Sequence, residues 1–235
     1  MVTHDGARKK AQSSPTKRAR VPDRKYKQSV PRRSKATRET YHHGDLRNAL
    51  VTAAVELVEG SSPEELTLRE VSRRVGVNHR AAYRHFEDKT ALLAAVAEDG
   101  YQSLLAQMEK ALAAAPRNNA RERLMALAVA YVSFAIDQPA RYRIMFGRRL
   151  NEDGRFPALE DSVARAYSLL AAELRAGQVS KQFLETPVRE LVFGFWSLTH
   201  GFASLAIVRR LQVKRSLLDS WSRQVFSAFV DGLAR

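Results

Sequence analysis

The chain contains no cysteine. Disulfide frameworks, thiolate metal sites and cysteine nucleophiles are excluded together, and the composition fits a reducing, cytoplasmic setting. No apolar signal core precedes the first helical pattern, since residues 1–39 are rich in Lys, Arg, Ser and Pro; no secretory route is expected. From Asp45 onward alternating Val/Ile/Thr segments and Asn-Gly turns are missing, which argues against strands and for an all-α fold. Nucleophile elbows, phosphate-cradling glycine loops and His-x-x-x-His pairs are missing too, so the expectation is a non-enzyme with neither metal nor cofactor. His42 and His43 are adjacent, which sends their rings apart on a helix and to opposite sides of an extended segment, with no further ligands to complete a metal site.

Positive charge is plentiful, and its location matters more than its total. The formal net charge is +14 over 235 residues. Residues 1–39 hold 13 Lys/Arg against Asp5, Asp23 and Glu39, leaving +4 for the rest. Such a tail cannot offset its ordering entropy and is expected to be disordered. It reads equally as a solvated leader, or a misassigned start, and as an arm that binds polyanions without regard to sequence.

Capping patterns divide the remainder into helices. Asp45 is a cap for a first helix carrying Leu46, Leu50, Ala53 and Leu57, with Gly60 as its stop. Thr67 and Glu70 are spaced as a capping box. Gly76 supplies a tight turn and Asn78 a further cap, so two short helices form a helix-turn-helix over about residues 67–86. On the second of these, Ala82 and Phe86 face inward while Arg80 and Arg84 point away. Asp88 caps a long fourth helix that runs to Pro116. Further helices are expected at about 120–137, 140–147, 157–176, 187–210 and 216–233.

This arrangement suits a DNA groove. His79, Arg80 and Ala81 are placed to meet base edges, and Thr67, Arg69, Arg73, Tyr83, His85 and Lys89 to meet phosphates. Residues 40–100 contain 7 Lys/Arg and 10 Asp/Glu, which favours an ordinary solvated helix pair. Yet six of the seven cations fall within 69–89, while the acids cluster at 56–65 and 87–99. A helical dimer with only nonspecific DNA binding through its tail is the alternative.

From Leu191 to Val208 eighteen residues carry no formal charge, the lower length limit for a membrane span. Gly194, Ser197, Thr199, His200 and Gly201 dilute the segment and argue against one. Two apolar stripes demand cover on two sides, one from the chain and one from a symmetry mate. The expected homodimer interface comprises Phe195, Leu198, Phe202, Leu205, Leu218, Trp221, Val225 and Phe229.

The motif "AAYRHFEDKTALL" at 81–93, with "LTLREVSRRVGV" upstream, resembles the TetR family of transcriptional regulators at Tyr83, His85, Phe86, Lys89, Leu92 and Leu93, and at Thr67, Val71, Gly76 and Val77. Ala82 departs from the Leu usual there. "WSLTHG" and "RYRIMFG" resemble a subgroup with a Trp-x-x-x-His-Gly element, at Trp196, His200 and Gly201. The resemblance implies a DNA-binding head at 40–93, a helical ligand and dimerisation domain at 94–235, a palindromic double-stranded operator, and repression relieved by a small molecule. Trp196 and His200 then read either as a core pair or as part of a pocket for a small apolar or aromatic ligand, lined with Tyr131, Phe134, Tyr142, Met145 and Phe146.

Overall fold

Local capping sets the helix boundaries in the first hundred residues. The computed structural model describes residues 43–212 and 214–234, with side chains from Leu46 onward; the expected tail and His42 lie outside them. Helix α1 spans His43–Gly60. Its described part begins two residues before the anticipated cap, so Asp45 lies within the helix, and Gly60 ends it from within. Helix α2 (Leu68–Val75) is capped by Thr67, whose side chain accepts the Glu70 N–H, and ends on Gly76 at φ 78°. That left-handed backbone is open to glycine at little cost. Helix α3 (His79–Tyr83) is capped by Asn78, which accepts from Arg80 N–H. Helix α4 (Lys89–Ala114) is capped by Asp88, which accepts from Ala91 N–H; these bonds hold the Asp88 carboxyl below its usual range.

The remaining helices among the described residues are α5 (Ala120–Asp137), α6 (Pro139–Met145), α7 (Pro157–Val179), α8 (Val188–Ile207) and α9 (Leu218–Asp231). Pro139 and Pro157 sit in the first turns of α6 and α7, where a missing N–H is free of cost. An isolated antiparallel bridge joins Phe183 to Ala234, and no strand occurs among the described residues. The fold is all-α. No helix among them is long and apolar enough to cross a membrane.

The described residues pack as one unit around two apolar clusters. One unites α1 to α3 with the start of α4, and takes in Ala140 and Ile144 of α6 and Leu159 of α7. The other holds the end of α4 with α5 and α7 to α9. Helix α6 therefore belongs to both: Ile144 is buried among head residues while Tyr142 is buried in the second cluster. Three arginines reinforce this seating. Arg141 pairs with Asp99 of α4 at 2.8 Å, and Arg143 donates to the Val58 carbonyl of α1 at 2.9 Å. Arg155 pairs with Asp88 at 3.0 Å and Glu87 at 3.3 Å.

Candidate nucleic-acid interface and ligand cavity

The turn at Gly76 and the two caps present α3 with one side against the head and the other to solvent. Ala82 and Phe86 are fully enclosed, and the Arg47 guanidinium lies 5.4 Å above the Phe86 ring. His79, Arg80, Tyr83 and Arg84 are exposed, as are Thr67, Arg69 and Arg73. Arg69, Arg73, Arg80 and Arg84 make no ion pair among the described residues, whereas Arg74 is held by Glu56 at 2.9 Å. An unpaired guanidinium on a short capped helix keeps its full donor fork for another molecule. The Thr67 oxygen already accepts from Glu70 N–H, leaving its O–H to donate.

Three expected contact residues are less open. Ala81 and His85 are half-buried. Lys89 is half-buried too, with Nζ donating to the Glu64 carbonyl at 2.5 Å, a bond that ties the α1–α2 turn to the start of α4. Arg84 had no role in the sequence reading, and its exposure beside Arg80 places it on the same face.

Between α4, α5, α7 and α8 lies a cavity of about 310 Å³. Its walls include Tyr101, Met108, Tyr131, Phe146, Tyr167 and Trp196, and no charged side chain lines it. Of the anticipated pocket residues only Tyr131, Phe146 and Trp196 reach it. Phe134 is enclosed in the core, and Met145 packs against Gly100 on α4. Tyr142 and His200 stand outside the lining as a polar support. The His200 Nδ1 lies 2.7 Å from the Tyr142 hydroxyl and 3.1 Å from that of Tyr131. Burial lowers the His200 pKa and raises those of Tyr131 and Tyr142. In the tautomer that carries its proton on Nε2, the neutral imidazole accepts at Nδ1 from the phenol hydroxyls. Phe195 and Thr199 also line the cavity. Sequence reading missed Tyr101, Met108, Val163 and Tyr167, which come from helices whose pattern looks ordinarily amphipathic.

The expected interface residues divide by face. Leu205 (46%), Trp221 (42%) and Val225 (38%) are exposed, with Val208 (64%) and Leu217 (45%) beside them in sequence. Leu198 and Phe229 are half-buried. Phe195, Phe202 and Leu218 are a correction: their own chain covers them. Phe202 stacks edge-on with Phe226 at 5.6 Å and Phe195 with Phe229 at 6.2 Å. The side of α8 with Phe195, Phe202 and Ala203 thus turns inward, and the side with Leu205 turns outward.

Two family descriptions match this chain: "Bacterial regulatory proteins, tetR family" over residues 50–96, and "Tetracyclin repressor-like, C-terminal domain" over 124–227. The uncharacterized HTH-type transcriptional regulator YobS of Bacillus subtilis is 26% identical over 190 residues, covering 81% of this chain and 93% of its own. Among solved structures, a protein with unknown function from Rhodococcus sp. RHA1 is 30% identical with a TM-score of 0.73, covering 84% of this chain and 100% of that one. The regulator FadR of Bacillus subtilis, in complex with stearoyl-CoA, shares the fold at 16% identity and a TM-score of 0.68, over 79% of this chain and 98% of its own.

Proposed function

This chain belongs to the TetR family of bacterial regulatory proteins, and on that premise we propose a cytoplasmic, homodimeric, sequence-specific repressor released from a palindromic operator by a small apolar or aromatic ligand. The face of α3 carries the reading: exposed, unpaired Arg80 and Arg84 stand opposite buried Ala82 and Phe86. A side chain with a free guanidinium fork at the start of such a helix suits the O6 and N7 acceptors of guanine. Thr67, Arg69, Arg73, Tyr83, His85 and Lys89 serve phosphates around it, with His79 and Ala81 beside Arg80 at the bases.

The exposed apolar rows on α8 and α9, with Leu205, Trp221 and Val225 at their centre, support a two-fold pairing that covers both. The division into a head at 40–93 and a ligand domain at 94–235 has support in the two clusters, with one amendment: α6 is shared. A cavity without charge favours a neutral ligand or an acyl chain; the FadR neighbour is a complex with stearoyl-CoA, whose acyl part is of that kind.

Coupling follows from α6. Phe146, directly after it, walls the cavity, while Ile144 and Arg143 grip the head and Arg141 holds Asp99 on α4. A ligand displacing Phe146 must shift α6 and with it the end of α1 and the start of α4, favouring a dimer whose recognition helices no longer match the groove spacing. The DNA reading is tested by Arg80→Ala. Affinity for the preferred site is expected to fall by about 1–3 kcal/mol with relaxed choice at one base pair. Equal loss on every sequence contradicts a base-reading role for Arg80.

A further inference from the structure

A second cavity, of about 540 Å³, opens where the head meets the segment after α6. It shares no residue with the apolar cavity. Its lining brings together Lys89 from the start of α4, Arg143 from α6, and Arg148, Arg149 and Arg155 from the segment leading to α7, against Glu64, Glu152 and Asp153. Arg155 is already satisfied by Asp88, Glu87 and Asp153. The other four cations have no carboxylate within ion-pair distance among the described residues. Arg143 and Lys89 spend donors on carbonyls, and Lys89 feels the charge of Glu64 without pairing with it. Leu93, Ile144 and Leu150 give the hollow an apolar side.

Five cations against three carboxylates leave a surplus of positive charge around a concave, partly apolar hollow, which favours a compact anion. Arginine forks match phosphate oxygens two at a time. A flat DNA backbone does not fill a recess of this kind, whereas a phosphate with an organic body fits both the cations and the apolar side. The geometry points to this cleft as a binding site for a small organic phosphate of nucleotide size, with Arg148 and Arg149 as its principal anion ligands and Lys89 and Arg143 closing on it from the head and α6. A phosphate held there bridges Lys89 to the segment behind α6 and draws Lys89 away from the operator. Phosphate and DNA then weaken each other by the same factor. The site itself stands independently of the apolar cavity and of the reading of α3, whereas its antagonism with DNA rests on the proposed operator contact of Lys89.

Calorimetric titration of the full chain with adenosine diphosphate, and separately with pyrophosphate, tests this without DNA. Arg148→Ser/Arg149→Ser is compared with Arg117→Ser/Arg175→Ser, which removes equal charge at exposed positions away from the cleft. The exposed arginines are dispensable to folding, and circular dichroism melting checks this. One site per chain in the control, weakened tenfold or more in the cleft variant, is the expected result. Tighter binding of adenosine diphosphate than of pyrophosphate identifies the organic body as part of the ligand, and equal binding reduces the site to one for inorganic anions and overturns the nucleotide-sized assignment. Equal binding by both variants attributes the affinity to diffuse charge and overturns the site. Absent binding, with DNA affinity lost only in the cleft variant, makes Arg148 and Arg149 operator-backbone contacts and overturns it as well.

Discussion

The His200 ring offers one acceptor to two hydroxyls, and removing the hydroxyls singly and together tests whether it is shared. Tyr142→Phe deletes the 2.7 Å bond but leaves the Tyr131 hydroxyl 3.1 Å from the same nitrogen. The cost is then that of one replaceable bond, about 0.5–1.5 kcal/mol. Tyr131→Phe leaves the shorter bond intact and costs no more. In the double variant Nδ1 loses both donors inside a half-buried setting, and an unsatisfied polar atom adds about 1–3 kcal/mol. The two changes are therefore expected to cost more together than their sum, by at least about 0.5 kcal/mol, the smallest coupling that distinguishes contacting residues. Urea unfolding at fixed protein concentration, followed by circular dichroism, supplies the four stabilities. Simple additivity refutes the shared acceptor. The histidine adds a pH signature: burial lowers its pKa in the fold, so its neutral form favours the native state above the ordinary histidine value. That contribution fades as pH falls below about 6.5, because the unfolded chain then takes up a proton that the folded one resists. His200→Gln, which keeps an acceptor without titrating, is expected to flatten this acid limb, and an unchanged limb assigns it to other groups.

Two further perturbations address the interface and the coupling helix. Leu205→Arg and Trp221→Arg are expected to yield a folded monomer in sedimentation at micromolar concentration, whereas Phe195→Arg, inside the chain, is expected to abolish folding; a dimer surviving both surface changes refutes the α8–α9 interface. Gly100→Ala places a Cβ 2.5 Å from the Met145 sulfur, and its overpacking cost of about 1–3 kcal/mol is partly offset by about 1 kcal/mol of helix propensity. Operator affinity is expected to fall several-fold with little change in melting temperature, and Gly100→Ala/Met145→Ala to restore it; failure of that rescue refutes α6 as the lever.

How much of this was legible in the sequence depends on range. Thr67, Asn78 and Asp88 announced their helices because a cap and its N–H partner lie two or three residues apart. Asp45 misled because a good cap residue can also lie within a helix, and the described part of α1 reaches back past it to His43. The exposed side of α3 was legible for the same local reason, through the spacing of Arg80 and Arg84 against Ala82 and Phe86. The cavity was not, since Tyr101, Tyr131, Val163 and Trp196 come from four helices that meet only on folding. Helix α8 shows the limit most clearly. Its apolar residues were visible, yet which side of it is left open at Leu205 rests on the packing of Phe202 against Phe226 and of Gly194 against Phe229, and a rotation of one residue position changes that side. The two arginines of "RYRIMFG" carried no sign that they reach α4 and α1, because their partners, Asp99 and the Val58 carbonyl, are 42 and 85 positions away.

The most direct measurement is selection of duplexes bound by the full chain from a random DNA pool at near-physiological salt. Enrichment of two inverted half-sites, centred about one helical turn or a whole multiple of it apart, is the predicted result, with specific binding roughly a thousandfold or more above that to scrambled duplexes. A pool that emerges unenriched, while still binding the protein in a salt-sensitive way, contradicts the account and leaves only nonspecific attraction through positive charge.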